Sequence, residues 1–186
     1  PIAGLVLSSP SNPTGTMLDA ERLAEITRWC RANGVWFISD EIYHGLTYTG
    51  RAPTALEHDS DAIVINSFSK YFSMTGWRLG WLVMPAALTE TLTRIGQNVT
   101  ISAPTLSQLG AEAAFDCHDE CEAYIARYAL NRTVLLQGLQ AAGFDDLAPA
   151  DGAFYIWAGI DHLIESDRTT DSQALCSEWL ADLGIA

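Results

Sequence analysis

Within the first forty residues, an apolar run from Ile2 to Leu7, the turn-forming stretch SSPSNPTG, an amphipathic segment and a second apolar run, VWFIS, follow one another and end at Asp40. Strand, helix and strand in so short a span make a βαβ unit, whose strands pair in parallel through a right-handed crossover. The first run is apolar without alternation, the pattern of a strand covered on both faces. Asp19 suits the helix N-cap, because its carboxylate can accept a hydrogen bond from a first-turn amide, and Asn33-Gly34 offers a left-handed exit. Between them Leu23, Ile26 and Trp29 recur at helical spacing and predict one buried face.

The pattern continues with a third strand, Ala62 to Ser67 (AIVINS), and a fourth, Leu79 to Met84 (LGWLVM), which Pro85 ends. The short connection from Lys70 allows this fourth strand to run antiparallel, since a parallel crossover needs roughly a dozen residues or more. Residues 86 to 142 then carry helical spacing broken at Pro104, with one long helix expected from Cys117 to Ala142, before Gly143. Ala153 to Trp157 (AFYIW) reads as a lone aromatic strand and Ser172 to Leu183 as a last amphipathic helix. These readings predict an α/β fold on a mostly parallel sheet. The change of character places a domain boundary near residue 116, dividing 1–115 from 116–186.

At 186 residues, with 48% hydrophobic side chains and mean hydropathy near zero, the chain can bury a core. Ten Lys and Arg against 23 Asp and Glu leave a formal charge of -13, which repels a phosphate backbone and makes nucleic acid and anionic membranes poor partners. No apolar run approaches a membrane span and no basic, cleavable leader opens the sequence, so a cytoplasmic setting is expected. Cys30, Cys117, Cys121 and Cys176 form no dense framework, and reduced thiols are expected. CHDEC, Cys117 to Cys121, has ligand types at helical spacing, but without a second ligand pair it reads as one turn of an ordinary helix rather than a metal site. The chain opens on Pro1 directly at a strand and closes just after a helix stop at Gly184, so it is expected to be truncated at both ends.

The polar residues fall into place on the strands. Asn12 follows the first strand; Asp40 ends the second, with Tyr43 just beyond; Ser67, Ser69 and Lys70 follow the third. In open α/β sheets ligands bind beyond the carboxyl ends of the strands, where the loops converge. Arg78 joins this edge if the fourth strand is antiparallel. Each residue alone has an ordinary explanation as a cap, a turn or a solvated charge. Their coincidence at one edge is the signal.

SNPTG, DEIYHGLTY, SFSK and GWRLGW, in this order and at these separations, resemble fold-type I pyridoxal-phosphate (PLP) enzymes, specifically the class I/II aminotransferases. The resemblance extends from Ser8 through DGAFYIW. It implies the three-layer α/β/α major domain of that fold, followed by part of a smaller α+β C-terminal domain. It also implies an enzyme that moves an amino group between an amino acid and a 2-oxo acid. Lys70 would form the aldimine with PLP and shuttle a proton at the substrate α-carbon, since a neutral amine is both nucleophile and base. Asp40 would keep the pyridine nitrogen protonated; Tyr43 and Asn12 would hydrogen-bond the phenolic oxygen. Ser67, Ser69 and Arg78 would hold the phosphate, Arg78 through a charge-assisted fork. Gly76 and Gly80 would permit the close turn between them. A homodimer is also implied.

The family pattern further includes an upstream glycine-containing phosphate loop, an aromatic residue that stacks on the ring, and a downstream arginine for the substrate α-carboxylate. No stretch of this sequence matches them, and none of Arg127, Arg132 and Arg168 sits in a matching motif, so the chain is expected to be inactive alone and prone to aggregate. Related carbon-sulfur lyases use the same lysine, aspartate and tyrosine, and some transcription regulators carry an aminotransferase-like domain behind a basic winged helix. SNPTG with DEIYHGLTY and GWRLGW sits closest to the transaminases.

Overall fold

The computed structural model describes residues 2–164 and 171–185; Arg168 lies outside them. Four strands form one sheet in sequence order: β1 (Gly4–Ser8), β2 (Trp36–Asp40), β3 (Ile63–Ser67) and β4 (Gly80–Val83). The first three pair in parallel, and β4 returns antiparallel to β3. Ser8 registers with Asp40 and Asp40 with Ile65, so the carboxyl ends of three strands share one edge. Ser67 pairs with Gly80, which brings the start of β4 to that same edge. The fold is α/β, with a mixed sheet and helices.

Helix α1 (Ala20–Ala32) crosses between β1 and β2. Asp19 caps it, accepting from the Arg22 amide at 2.7 Å, and Gly34 leaves it with φ +64°. Its buried face carries Leu23, Thr27 and Cys30, packed on Val35, Phe37, Ala62 and Val64. Ile26 lies at the edge of that cluster, but Trp29 is 51% exposed. The spacing Leu23, Thr27, Cys30 is itself helical; a buried Thr that bonds back to Leu23 O at 2.7 Å hides its polarity, which the apolar count overlooked.

The opposite face of the sheet, at Val6, Trp36, Ile65 and Leu82, is exposed in this chain, contrary to the expected cover on both faces of β1.

Beyond the sheet come α2 (Ala86–Val99), α3 (Thr105–Ala114) and α4 (His118–Ala141), then a short α5 (Asp161–Ile164) and α6 (Ser172–Leu183). The long helix and the last one match their predicted spans within a residue. The expected aromatic strand Ala153–Trp157 is absent: Ala153 turns with φ +58°, and pairing is confined to isolated bridges at Gly152 and Ala158. Residues 151–155 instead form a tight turn whose amides bond to distant loops.

Candidate active site

Each predicted site residue lies at the carboxyl edge of the sheet or in the loops that leave it, and the residues fall into two groups. The first centres on Tyr43, which is 1% exposed. The chain leaves β2 through a turn in which Asp40 Oδ1 accepts from the Ile42 amide at 3.2 Å and Glu41 N donates to Ile65 O at 2.9 Å. That turn directs Tyr43 into a cluster with Leu46, Ala153, Tyr128 and Tyr155.

Lys70, half-buried, reaches the same cluster from the loop after β3. Its Nζ lies 5.4 Å from the centre of the Tyr43 ring and 5.3 Å from that of Phe154. The aromatic π-faces favour a cation there and also fix where the amine sits. Tyr71, next in sequence, ties this loop to α4: its hydroxyl donates to Glu122 Oε1 at 2.8 Å and meets His118 Nδ1 at 2.9 Å. Its ring packs so tightly on Gly45, where φ is +89°, that a Cβ there would fall 2.3 Å from Cδ2. His118 and Glu122 thus support the lysine loop.

Burial pushes the Tyr43 phenol well above its ordinary range, and its hydrogen bond to Tyr155 and the charge of Asp40 push the same way. The Asn12 side chain, from the loop after β1, hydrogen-bonds Tyr43 and works against them. Asn12 and Asp40 thus both act on the Tyr43 hydroxyl, while Lys70 meets the face of its ring.

The second group is the β3–β4 hairpin. Ser67 Oγ accepts from the Ser69 amide at 3.0 Å and donates to Leu79 O at 3.3 Å. Thr75 Oγ1 donates to Ser69 O at 2.7 Å, and Arg78 Nη1 donates to Thr75 O at 3.0 Å. Phe68, between the two serines, is buried against Met74 and Ala111 and anchors the turn. Gly80 fulfils its expected role: a Cβ there would lie 2.6 Å from Asn66 O. Gly76 does not, having open space around it and no positive φ; the left-handed residues of this connection are Ser73 and Arg78, both at φ +54°.

Phe154 and Tyr155, which touch Lys70 and Tyr43, carried no assigned role in the sequence. Tyr155 Oη stands 2.6 Å from Tyr43 Oη. Read as a strand, DGAFYIW offered no reason to single out either one; the signal lay in a glycine followed by aromatics that must leave an extended path.

The family profile for aminotransferase class I and II matches residues 1–185. A valine-pyruvate aminotransferase of Mycobacterium tuberculosis is 49% identical over 190 residues, which cover 100% of this chain and 48% of that protein. An aspartate aminotransferase of Sulfurisphaera tokodaii is 34% identical over 168 residues, 87% of this chain and 41% of that protein. The crystal structure of an aminotransferase from Mycobacterium tuberculosis matches with a TM-score of 0.91 and 49% identity, over 100% of this chain and 48% of that one. The chain thus spans about half the length of the curated relatives it matches. On the extent of these matches, the chain belongs to the class I and II aminotransferase family.

Proposed function

We propose that the protein moves an amino group between an amino acid and a 2-oxo acid, with PLP attached at Lys70. The observation that carries this reading is the position of Lys70 Nζ, fixed beside the Tyr43 and Phe154 rings at the carboxyl edge of the sheet. Relatives named as valine-pyruvate and aspartate aminotransferases support the same reaction class.

The donor set fits PLP. Asp40 uses Oδ1 on the Ile42 amide, while Oδ2 has no partner among the described residues and suits a pyridinium N–H. Arg78 is exposed and commits Nη1 to Thr75 O, leaving further N–H groups for phosphate oxygens. Ser69 Oγ has no partner among the described residues, whereas the Ser67 hydroxyl must release Leu79 O to donate to a phosphate.

When bound, PLP supplies an electron sink for the charge that develops at the substrate α-carbon. The chain's own residues do the rest. Asp40 holds the ring nitrogen protonated, Tyr43 and Asn12 orient the phenolic oxygen, and the Lys70 amine moves the proton. Ser67, Ser69 and Arg78 fix the phosphate. In this reading residues 1–115 form the cofactor end, residues 116–186 begin the smaller domain, and the working protein is a cytoplasmic homodimer. Among the described residues no helix is long and apolar enough to cross a membrane.

Borohydride reduction of the PLP-treated chain, followed by peptide mass spectrometry, tests the assignment. Label confined to Lys70 is the expected result. Label scattered over other amines, with Lys70 bare, overturns it.

A further inference from the structure

We propose that Tyr155 is a positioning residue of this site: its hydroxyl accepts from Tyr43 in the ligand-free protein and becomes the donor once Tyr43 turns its own O–H to hydrogen-bond the cofactor. This inference rests on the reading of the PLP site above. At 2.6 Å the two hydroxyls share one hydrogen bond, and either oxygen can donate it. A phenol offers one proton and two lone pairs. If Tyr43 donates to a phenolic oxygen of PLP, its proton is spent. The short bond to Tyr155 then survives only with Tyr155 as donor.

Both rings are held so that neither can swing away. Tyr43 is buried, and the rings meet edge to face with centroids 5.8 Å apart. Tyr155 follows a turn stitched to two other segments, the loop after β1 and the loop after β2: Gly152 N donates to Gly15 O at 3.0 Å, Met17 N to Asp151 Oδ2 at 3.3 Å, and Ala153 N to Leu46 O at 2.8 Å. Gly152 has no space for a side chain, since a Cβ would come within 2.8 Å of Leu46 O. Ala153 is fully buried with φ +58°. So many constraints on one turn present the Tyr155 hydroxyl to Tyr43 at fixed distance. A donor behind Tyr43 strengthens the hydrogen bond in front of it, because chained hydrogen bonds polarise one another.

Four titratable groups bear on Tyr43: Asp40 at the end of β2, Lys70 after β3, Tyr155, and Tyr128 from α4. A double-substitution cycle separates Tyr155 from the rest. The full chain is loaded with PLP, and the pH midpoint of the bound cofactor's absorbance change is measured for the unsubstituted protein, Tyr155→Phe, Tyr43→Phe and the double variant. Phe keeps the ring packing and removes the hydroxyl. Tyr155→Phe is expected to raise the midpoint by about 0.3–0.7 pH unit, a two- to fivefold change in proton affinity, and to add nothing in the Tyr43→Phe background. PLP attached to Lys70 with no shift, or an equal shift in both backgrounds, overturns the role of Tyr155 while the functional reading stands. PLP that does not attach to Lys70 in the unsubstituted protein sinks both.

Discussion

Glu41 Oε2 lies 3.3 Å from His44 Nδ1, while Glu41 Oε1 accepts from Ser39 Oγ at 3.0 Å, Thr54 Oγ1 at 3.0 Å and the Ala55 amide at 2.9 Å. Only 2% of Glu41 is exposed, so this carboxylate, which falls between Asp40 and Tyr43 in sequence, is fully occupied holding their turn against the 54–55 loop. Glu41→Ala leaves buried donors with no acceptor and is expected to cost about 3–5 kcal/mol, with Glu41→Gln costing less. Urea unfolding of the two variants measures the difference, and PLP attachment at Lys70 should weaken along with stability.

His44 gives that turn a pH dependence. Its imidazole is largely buried, and burial lowers its affinity for a proton below the ordinary value of 6.5, outweighing the opposite pull of Glu41 and of a backbone hydrogen bond at Ser9. Below pH 6.5 the unfolded chain takes up a proton that the folded chain resists, so stability is complete above that pH and falls as pH drops through it. The slope is at most one proton, about 1.4 kcal/mol per pH unit. Unfolding free energies measured across this range should lose that slope in His44→Gln.

Much of this site was legible because its residues follow strands whose apolar runs are unmistakable. Asp40 and Ser67 could be placed at one edge from sequence order alone, and the short link to β4 allowed Arg78 to join them, as the antiparallel pairing of Ser67 with Gly80 bears out. What escaped was non-local. Tyr155 meets Tyr43 across more than a hundred residues, and no periodicity encodes a contact between two turns. Trp29 was placed in the core because apolar spacing cannot see a buried Thr27 that satisfies its own hydroxyl. Gly76 stands in open space and permits no close approach, while Ser73 and Arg78 hold the left-handed positions of the connection, which nothing in their residue types announces.

Gly80 should tolerate no side chain. The Asn66 carbonyl oxygen that would lie 2.6 Å from a new Cβ is backbone within the β3–β4 pairing, so it yields only if the strands part. Gly80→Ala is expected to cost about 1–3 kcal/mol and, by displacing Ser67, to weaken PLP binding. Thermal unfolding and a PLP titration read the two effects separately.

The cysteines divide by access. Cys117 and Cys176 are exposed, whereas Cys30 and Cys121 are buried and burial pushes both thiols up. A thiol reagent such as Ellman's should modify Cys117 and Cys176 rapidly in the native chain and reach Cys30 and Cys121 only in denaturant. Fast native reaction at all four would mean that the α1 core is open.

Arg78 sets binding against stability. It holds a left-handed backbone, φ +54°, which costs a residue with a Cβ roughly 1–2 kcal/mol and costs glycine almost nothing. Among the described residues its guanidinium makes one hydrogen bond, to Thr75 O, so little packing compensates for that strain. Arg78→Gly is therefore expected to leave the ligand-free chain as stable or more stable by about 1 kcal/mol, less any gain in unfolded-state entropy. In the proposed site Arg78 would make charge-assisted hydrogen bonds to a phosphate, each worth about 1.5–3 kcal/mol, so the same change should weaken PLP binding about 10- to 100-fold. Denaturant unfolding without PLP, paired with a PLP titration, should move in opposite directions. A variant that loses stability and affinity together would mean that Arg78 shapes the hairpin rather than gripping the cofactor.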